Sequence, residues 1–301
     1  MPNANPLKSI VYALCANAAI ALAKTAGAVF TGSASMQAEA LHSYADCGNQ
    51  ALLLWGLRES RRPASADHPM GHGRAIYFWS FIVALLLFSL GGLYSLSEGW
   101  HKLHASEPLH TPWIAAGILA FAVIAESVSL WGALREIDKE RANLTLWRWF
   151  RTSRQSELIV VFAEDVAALA GLVLAFIFVA LAAVTGNPLW DAVGSMGIGA
   201  LLVAVAAGVG VQIKGLLVGQ SADPQVVAAL RAHLERQPQV AQVYSLVTQQ
   251  VGAQIMVAVK ARMHPLGSDV ALIEAINEVE RSVHDGFAAV RWIFFEPDLH
   301  D

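Results

Sequence analysis

Six stretches of the chain, at about 8–31, 35–58, 74–100, 113–137, 156–185 and 188–214, are apolar for the length a helix needs to cross a bilayer core. That length is about 20 residues for a hydrocarbon layer roughly 30 Å thick. The third and fifth stretches are long enough to tilt or to reach into the headgroups. Polar segments rich in Gly, Pro and Ser separate them: "TGSAS", "RRPASADHPMGHGR", "ASEPLHTP" and "TGNP". After about residue 220 the pattern changes. "SADPQVVAALRAHLERQ" has the spacing of a short amphipathic helix, with Asp223 as N-cap and Pro224 at its first position. "QVYSLVTQQ" and "QIMVAVKARM" alternate as strands around a turn at Gly252. "SDVALIEAINEVERSVHD" returns to helical spacing, and "AVRWIFFE" closes as a third strand. The pattern predicts a polytopic α-helical membrane protein, with six transmembrane helices over 1–219. A cytoplasmic α+β domain of order αββαβ follows over 220–301.

Composition supports the membrane assignment. Of the 301 residues 55% are hydrophobic and 15% charged, whereas a soluble protein is nearer a quarter charged. The net charge of −4 gives no sign of nucleic-acid binding. Cys15 and Cys47 lie inside apolar segments and read as packing residues, not as a disulfide or a metal motif. Lys8 and the apolar run after it look like a signal peptide at first. The run continues past Lys24 to Phe30, so a retained first span is expected.

Basic residues set the orientation. Arg58, Arg61, Arg62 and Arg74 flank the second-to-third loop; Lys139, Arg141, Arg148, Arg151 and Arg154 fill the fourth-to-fifth. The opposite loops hold only Lys102. Both termini of this multi-pass chain are therefore expected in the cytoplasm, with the cell (inner) membrane as its location. Trp100, Trp113 and Trp190 fall at the outer interface, and Trp147 and Trp149 at the inner one.

Ionisable residues stand out at depth. Asp46 is roughly 15 Å below the outer start of the second helix, and Asp165 roughly 14 Å from the inner start of the fifth. The two carboxylates therefore reach the bilayer midplane together. Glu164 is beside Asp165, Glu126 is near the middle of the fourth helix, and His42 is one turn outward of Asp46 on the same face. A lone polar residue at such depth is commonly satisfied by a neighbouring helix. Four carboxylates and a histidine need more, and Lys24 cannot neutralise them all. A divalent cation supplies the missing charge. Imidazole with carboxylates suits Zn²⁺, and by ligand type also Co²⁺, Fe²⁺ or Mn²⁺.

Asn17 and Lys24 of the first helix, "TGSASMQAEALHSYAD" and "HPMGHG" together resemble the cation diffusion facilitator family. "EALHSYADCGNQALLLWGL", "VVFAEDVAALAG" and "TGNPLWDAVGS" resemble its divergent zinc transporter nine-like branch. The resemblance implies a homodimeric metal-cation transporter with six helices and a ferredoxin-like cytoplasmic domain. It implies a transport site of ligands paired four apart on helices two and five, which carries over His42, Asp46 and Asp165. The fourth position holds Val161, which cannot bind metal. Glu164, about 60° round the helix from Val161, is the substitute expected here. A second metal site in the "DHPMGHGR" loop would use Asp67, His68 and His72, with Ser65 where an acid is expected; a loop-shaping role is the alternative. Metal-binding positions of the soluble domain fall on Met256 and Phe294, with Glu296 as a remnant, so that domain is expected to dimerise and not to sense metal. His233, His264, His284 and His300 read as exposed. Glu126 is a proton-relay or supporting residue, with helix-to-helix hydrogen bonding as the plain alternative.

The expected function is a zinc-preferring secondary transporter, not an enzyme, that exports divalent metal from the cytoplasm in exchange for protons. Zn²⁺ is its substrate and no cofactor is implied. Its partners are the metal cation, protons, the bilayer and a second copy of the chain, and not nucleic acid. The rivals are a non-transporting regulatory membrane protein and an intramembrane metalloenzyme. The latter lacks an HExxH motif and an evident nucleophile.

Overall fold

In the computed structural model the chain divides into two compact units, one of residues 1–59, 76–151 and 156–214, the other of 60–75, 152–155 and 215–301. The structure describes residues 6–31, 34–105, 112–141, 144–187 and 189–300. The side chains of 31–43 are among those outside the described set, and with them that of His42.

The first unit is helical. Its elements are α1 (Pro6–Thr31), α2 (Ala34–Ser60), α3 (Ala75–Leu86), a π-helical stretch (Leu87–Leu93), α4 (Tyr94–Ala105), α5 (Pro112–Glu140), α6 (Leu146–Thr152), α7 (Ser156–Thr185) and α8 (Leu189–Val218). All six apolar stretches are thus helical. Among the described residues three helical runs, Ala75–His104, Ser156–Thr185 and Leu189–Val218, are long and apolar enough to cross a membrane.

The third stretch is not the uniform helix its sequence suggests. It widens into a π turn at Leu87–Leu93, where Gly91 and Gly92 stand. A Cβ on Gly92 would lie 2.8 Å from Val203 Cγ2, and one on Gly99 would lie 2.6 Å from Met196 Cγ. Facing them, a Cβ on Gly199 would lie 2.7 Å from Leu96 Cγ. Small residues let helix backbones approach where lipid gives no hydrophobic drive. Lys102 Nζ also bonds Asp191 Oδ2 at 2.8 Å between α4 and α8.

The start of α7 is the most enclosed segment, with Ser156–Val161 and Ala163–Asp165 all buried. The short α6 was not foreseen. Trp149, expected at an interface, is instead buried with Ile137 and Leu158. Cys15, expected to pack, is exposed, and Cys47 is half-buried; both thiols are free.

The second unit has the αββαβ order. Helix α9 (Pro224–Glu235) is capped by Asp223, whose carboxylate accepts from Gln225 N at 2.8 Å. Strands β1 (Val240–Val251), β2 (Gln254–Met263) and β3 (Val290–Pro297) form a sheet in that order, with α10 (Asp269–Gly286) between β2 and β3. β1 and β2 are antiparallel; β2 and β3 are parallel. Leu230, Leu234, Val257, Val259, Val279 and Val283 fill the core. Each such side chain contributes about 1.5–3 kcal/mol by leaving water.

His233 is not merely exposed. It lies within 2.7 Å of Ser282 Oγ and joins α9 to α10. The α2–α3 segment seats on the β1–β2 turn: a Cβ on Gly73 would lie 2.6 Å from Val251 O, and Gly252, at φ +62°, abuts Gly73 O. A side chain at Gly252 would meet both the left-handed backbone and that carbonyl.

Candidate functional site

Helix α2 buries one stripe at helical spacing: Asp46, Asn49, Gln50, Leu53 and Leu57. The stripe is polar in its first half and apolar in its second. Helix α5 buries Ala122, Glu126, Ala133 and Ile137. Between them stands the enclosed start of α7, carrying Glu157, Val161, Glu164 and Asp165. Three helices therefore bring acids together from distant parts of the chain.

The contacts are specific. Asn49 Nδ2 of α2 donates to Glu164 Oε1 of α7 at 2.9 Å, and both residues are buried. Ser129 Oγ of α5 donates to Asp165 Oδ1 at 3.4 Å. The charges of Asp46, Asp165 and Glu126 all act on Glu164, and those of Glu126 and Asp46 act on Asp165. Two carboxylate oxygens, Glu164 Oε2 and Asp165 Oδ2, are buried without a hydrogen-bond partner among the described residues. Buried polar groups are normally satisfied, and an orphaned carboxylate oxygen is costly. A cation bound there removes that cost and the mutual repulsion together. The described carboxylates offer oxygen only; the side chain of His42, the nitrogen ligand expected from the sequence, lies outside the described residues. Among the described residues no three of His, Cys, Asp and Glu converge on one metal position.

Asp46 and Glu126 are thus each within electrostatic reach of both Glu164 and Asp165. Val161 is buried one turn before Asp165. Sequence reasoning missed Asn49 and Ser129. Asn49 is three residues after Asp46 and seven after His42, and Ser129 is three after Glu126, so helical spacing was the available signal. It also missed a buried cluster toward the start of α7. There Ser80 Oγ donates to Ser156 Oγ at 3.0 Å, and Ser156 Oγ donates to Glu157 Oε2 at 3.4 Å.

The loop histidines behave differently. The rings of His68 and His72 stand 4.3 Å apart, tilted by 31°. Ser65 Oγ accepts from His68 N at 3.2 Å, and Gly71 N donates to His68 O at 2.9 Å. Ser65 therefore closes the turn where a metal-binding acid was looked for. Asp67 is exposed, and His72 Nδ1 is buried without a described partner.

A family model described as the cation efflux transmembrane domain matches residues 10–213. The chain is 37% identical over 249 residues to the mitochondrial proton-coupled zinc antiporter SLC30A9 of Xenopus laevis, a match covering 82% of this chain and 44% of that protein. It is 32% identical over 219 residues to metal tolerance protein C4 of Arabidopsis thaliana, covering 72% and 48%. It is 25% identical over 276 residues to the magnetosome protein MamB of Magnetospira sp., covering 87% and 88%. The chain thus spans less than half the length of the first two relatives.

Proposed function

The chain belongs to the cation efflux family, the cation diffusion facilitators, and on that premise we propose that it is a secondary transporter for a divalent metal cation, zinc by preference. It exports the metal from the cytoplasm in exchange for protons, through a site of His42, Asp46, Glu164 and Asp165 between α2 and α7. The observation that carries this is the pair of buried, orphaned oxygens on Glu164 and Asp165, surrounded by further negative charge and joined to α2 through Asn49. The names of two relatives, a zinc antiporter and a metal tolerance protein, support the choice of substrate class. All six long helices are taken as spans, with both termini in the cytoplasm of a cell (inner) membrane. The αββαβ unit is taken as the ferredoxin-like cytoplasmic module.

Proton coupling follows from ligand chemistry. Metal binding requires deprotonated ligands, so metal and protons compete for the same atoms. Outside, protons displace the metal; inside, metal displaces protons. Rocking of helices about a fixed midplane site then gives alternating access. Glu126, a further buried carboxylate whose charge reaches Glu164 and Asp165, is the group proposed to take up a displaced proton. Proteoliposomes loaded with a zinc-sensitive dye test the proposal directly. Zinc uptake that rises with an imposed pH gradient is expected. Uptake indifferent to the gradient would overturn antiport, and no uptake would overturn transport.

The homodimer has its own support. The helices cover one face of the sheet, where Val257 and Val259 are buried. On the other face Val247, Ala258 and Phe294 stand in register across the three strands. Val247 is 55% and Phe294 60% exposed. A second copy is the proposed cover for this apolar row. Phe294→Glu in the full chain should then convert a dimer to a monomer in light-scattering mass measurement. An unchanged dimer mass would remove this face from the interface.

A further inference from the structure

We propose that Ser80 of α3 and Ser156 of α7 form the latch of a cytoplasmic gate whose moving leaf is α3; the proposal rests on the transport reading and places its inner gate.

The two ends of the third span are held differently. At the outer end α4 and α8 interlock at the backbone. A Cβ on Gly199 would lie 2.7 Å from Leu96 N and 2.8 Å from Gly92 O. One on Gly99 would lie 2.8 Å from Met196 N and 2.9 Å from Ala192 O. Helix α8 is seated as closely on α7, where a Cβ on Gly194 would lie 2.6 Å from Phe178 Cβ. The ion pair of Lys102 with Asp191 fastens the same end. Helices packed this closely shift little without a clash.

At the inner end α3 is held through side chains. Ser80 Oγ donates to Ser156 Oγ at 3.0 Å, and Trp79 Nε1 donates to Glu59 Oε2 of α2 at 2.7 Å. Gly56 of α2 makes room for the Trp79 side chain. Bonds of this kind are made and broken at little net cost, because water takes the place of either partner. Between the two ends lies the π-helical stretch Leu87–Leu93. Helices bend at π turns, and such turns collect at functional sites. The leaf α3 therefore pivots there while α4 stays on α8.

What the leaf covers gives the movement a use. Ser80 and Ser156 are fully buried, and Glu157 beside them is buried too. Glu157 and Glu164 are seven residues apart on α7, so they share a face about 10 Å apart along the axis. A carboxylate enclosed at the end of a span is costly unless water or an ion reaches it in another state. Swinging α3 aside admits water to Glu157 and opens the face that leads on to Glu164. The rival is a static hydroxyl bond that merely joins two helices.

The test is a reversible lock. Ser80→Cys with Ser156→Cys is made in a full chain whose Cys15 and Cys47 are replaced by serine, and that background is the reference. Hydroxyls 3.0 Å apart put two cysteines within reach of a disulfide. In proteoliposomes, oxidation should lower zinc flux at least about tenfold and dithiothreitol should restore it, because a covalent latch holds the gate shut. Undiminished flux in the oxidised form, with the disulfide verified by mass, would overturn the gate and leave the serines a static contact.

A second measurement needs neither a disulfide nor flux. In detergent, Ser156→Cys alone should react with a water-soluble maleimide at least about tenfold faster than Leu158→Cys, since only the former opens with α3. Leu158 is buried with Ile137 and Trp149, away from the latch. Equal rates would mean that α7 frays as a whole, and no reaction at Ser156→Cys would mean that α3 stays closed; either result overturns the gate. A chain that moves no zinc yet shows the selective reaction refutes transport and supports the gate. A chain that moves zinc without the selective reaction refutes the gate alone.

Discussion

Replacing Asp46 or Asp165 with alanine is expected to lower zinc flux about a hundredfold while leaving the protein folded in the membrane. The magnitude follows from the cost of a charge in the bilayer interior, about 3 kcal/mol on insertion scales. A divalent ion that loses one of its counter-charges there bears about that penalty. Both side chains are buried on facing helices, and the charge of Asp46 reaches Asp165. The folded state should tolerate the change, because each substitution also removes one of several mutually repelling carboxylates. Flux in proteoliposomes, measured beside circular dichroism and elution profile, checks both halves. Flux near the wild-type rate in either variant would remove that residue from the transport site.

Glu164 separates two roles that the structure joins. Its Oε1 accepts from Asn49, a structural role, while Oε2 is left without a described partner, as a ligand oxygen would be. Glu164→Gln keeps an acceptor for Asn49 but loses the charge. It should preserve stability and weaken zinc affinity at least about tenfold, since hydrogen bonds and charges each count for more than 1 kcal/mol at buried sites. Glu164→Ala should lose both. The orphaned Asn49 amide then costs about 1–3 kcal/mol of stability. Val161→His should restore affinity in the Glu164→Gln background. Residue 161 is one turn from Asp165 on the same helix, and four-residue spacing stacks the two side chains. Isothermal titration with Zn²⁺ and thermal melting across the series decide the matter. Wild-type affinity in Glu164→Gln would leave Glu164 as a helix-joining residue only.

The sequence by itself determined the elements and drew attention to the buried acids. Apolar stretches of spanning length gave helices α1, α2, α5, α7 and α8 nearly residue for residue, because length and hydropathy are local properties. Period-two and helical spacing gave the αββαβ unit with its Asp223 cap for the same reason. Asp46 and Asp165 were legible because an ionisable residue inside an apolar run is conspicuous on its own.

Partners were not legible, since they depend on which helices adjoin. Asn49 shares a stripe with Asp46, yet nothing in α2 says that the stripe faces Glu164 and not another helix. The π turn at Leu87–Leu93 lies where glycines let α8 approach, and α8 is about a hundred residues further along the chain. Seven residues of LWRWFRT are too few for periodicity to tell a buried tryptophan from an interfacial one. Only packing against Ile137 and Leu158 assigned Trp149 to the core and left Trp147 outside. Likewise the α2–α3 segment reads as a plain loop, and it joins the C-terminal unit because two glycines, Gly73 and Gly252, allow backbone to meet backbone. Local pattern specifies each element's conformation and its buried face; only the assembled chain specifies what that face meets.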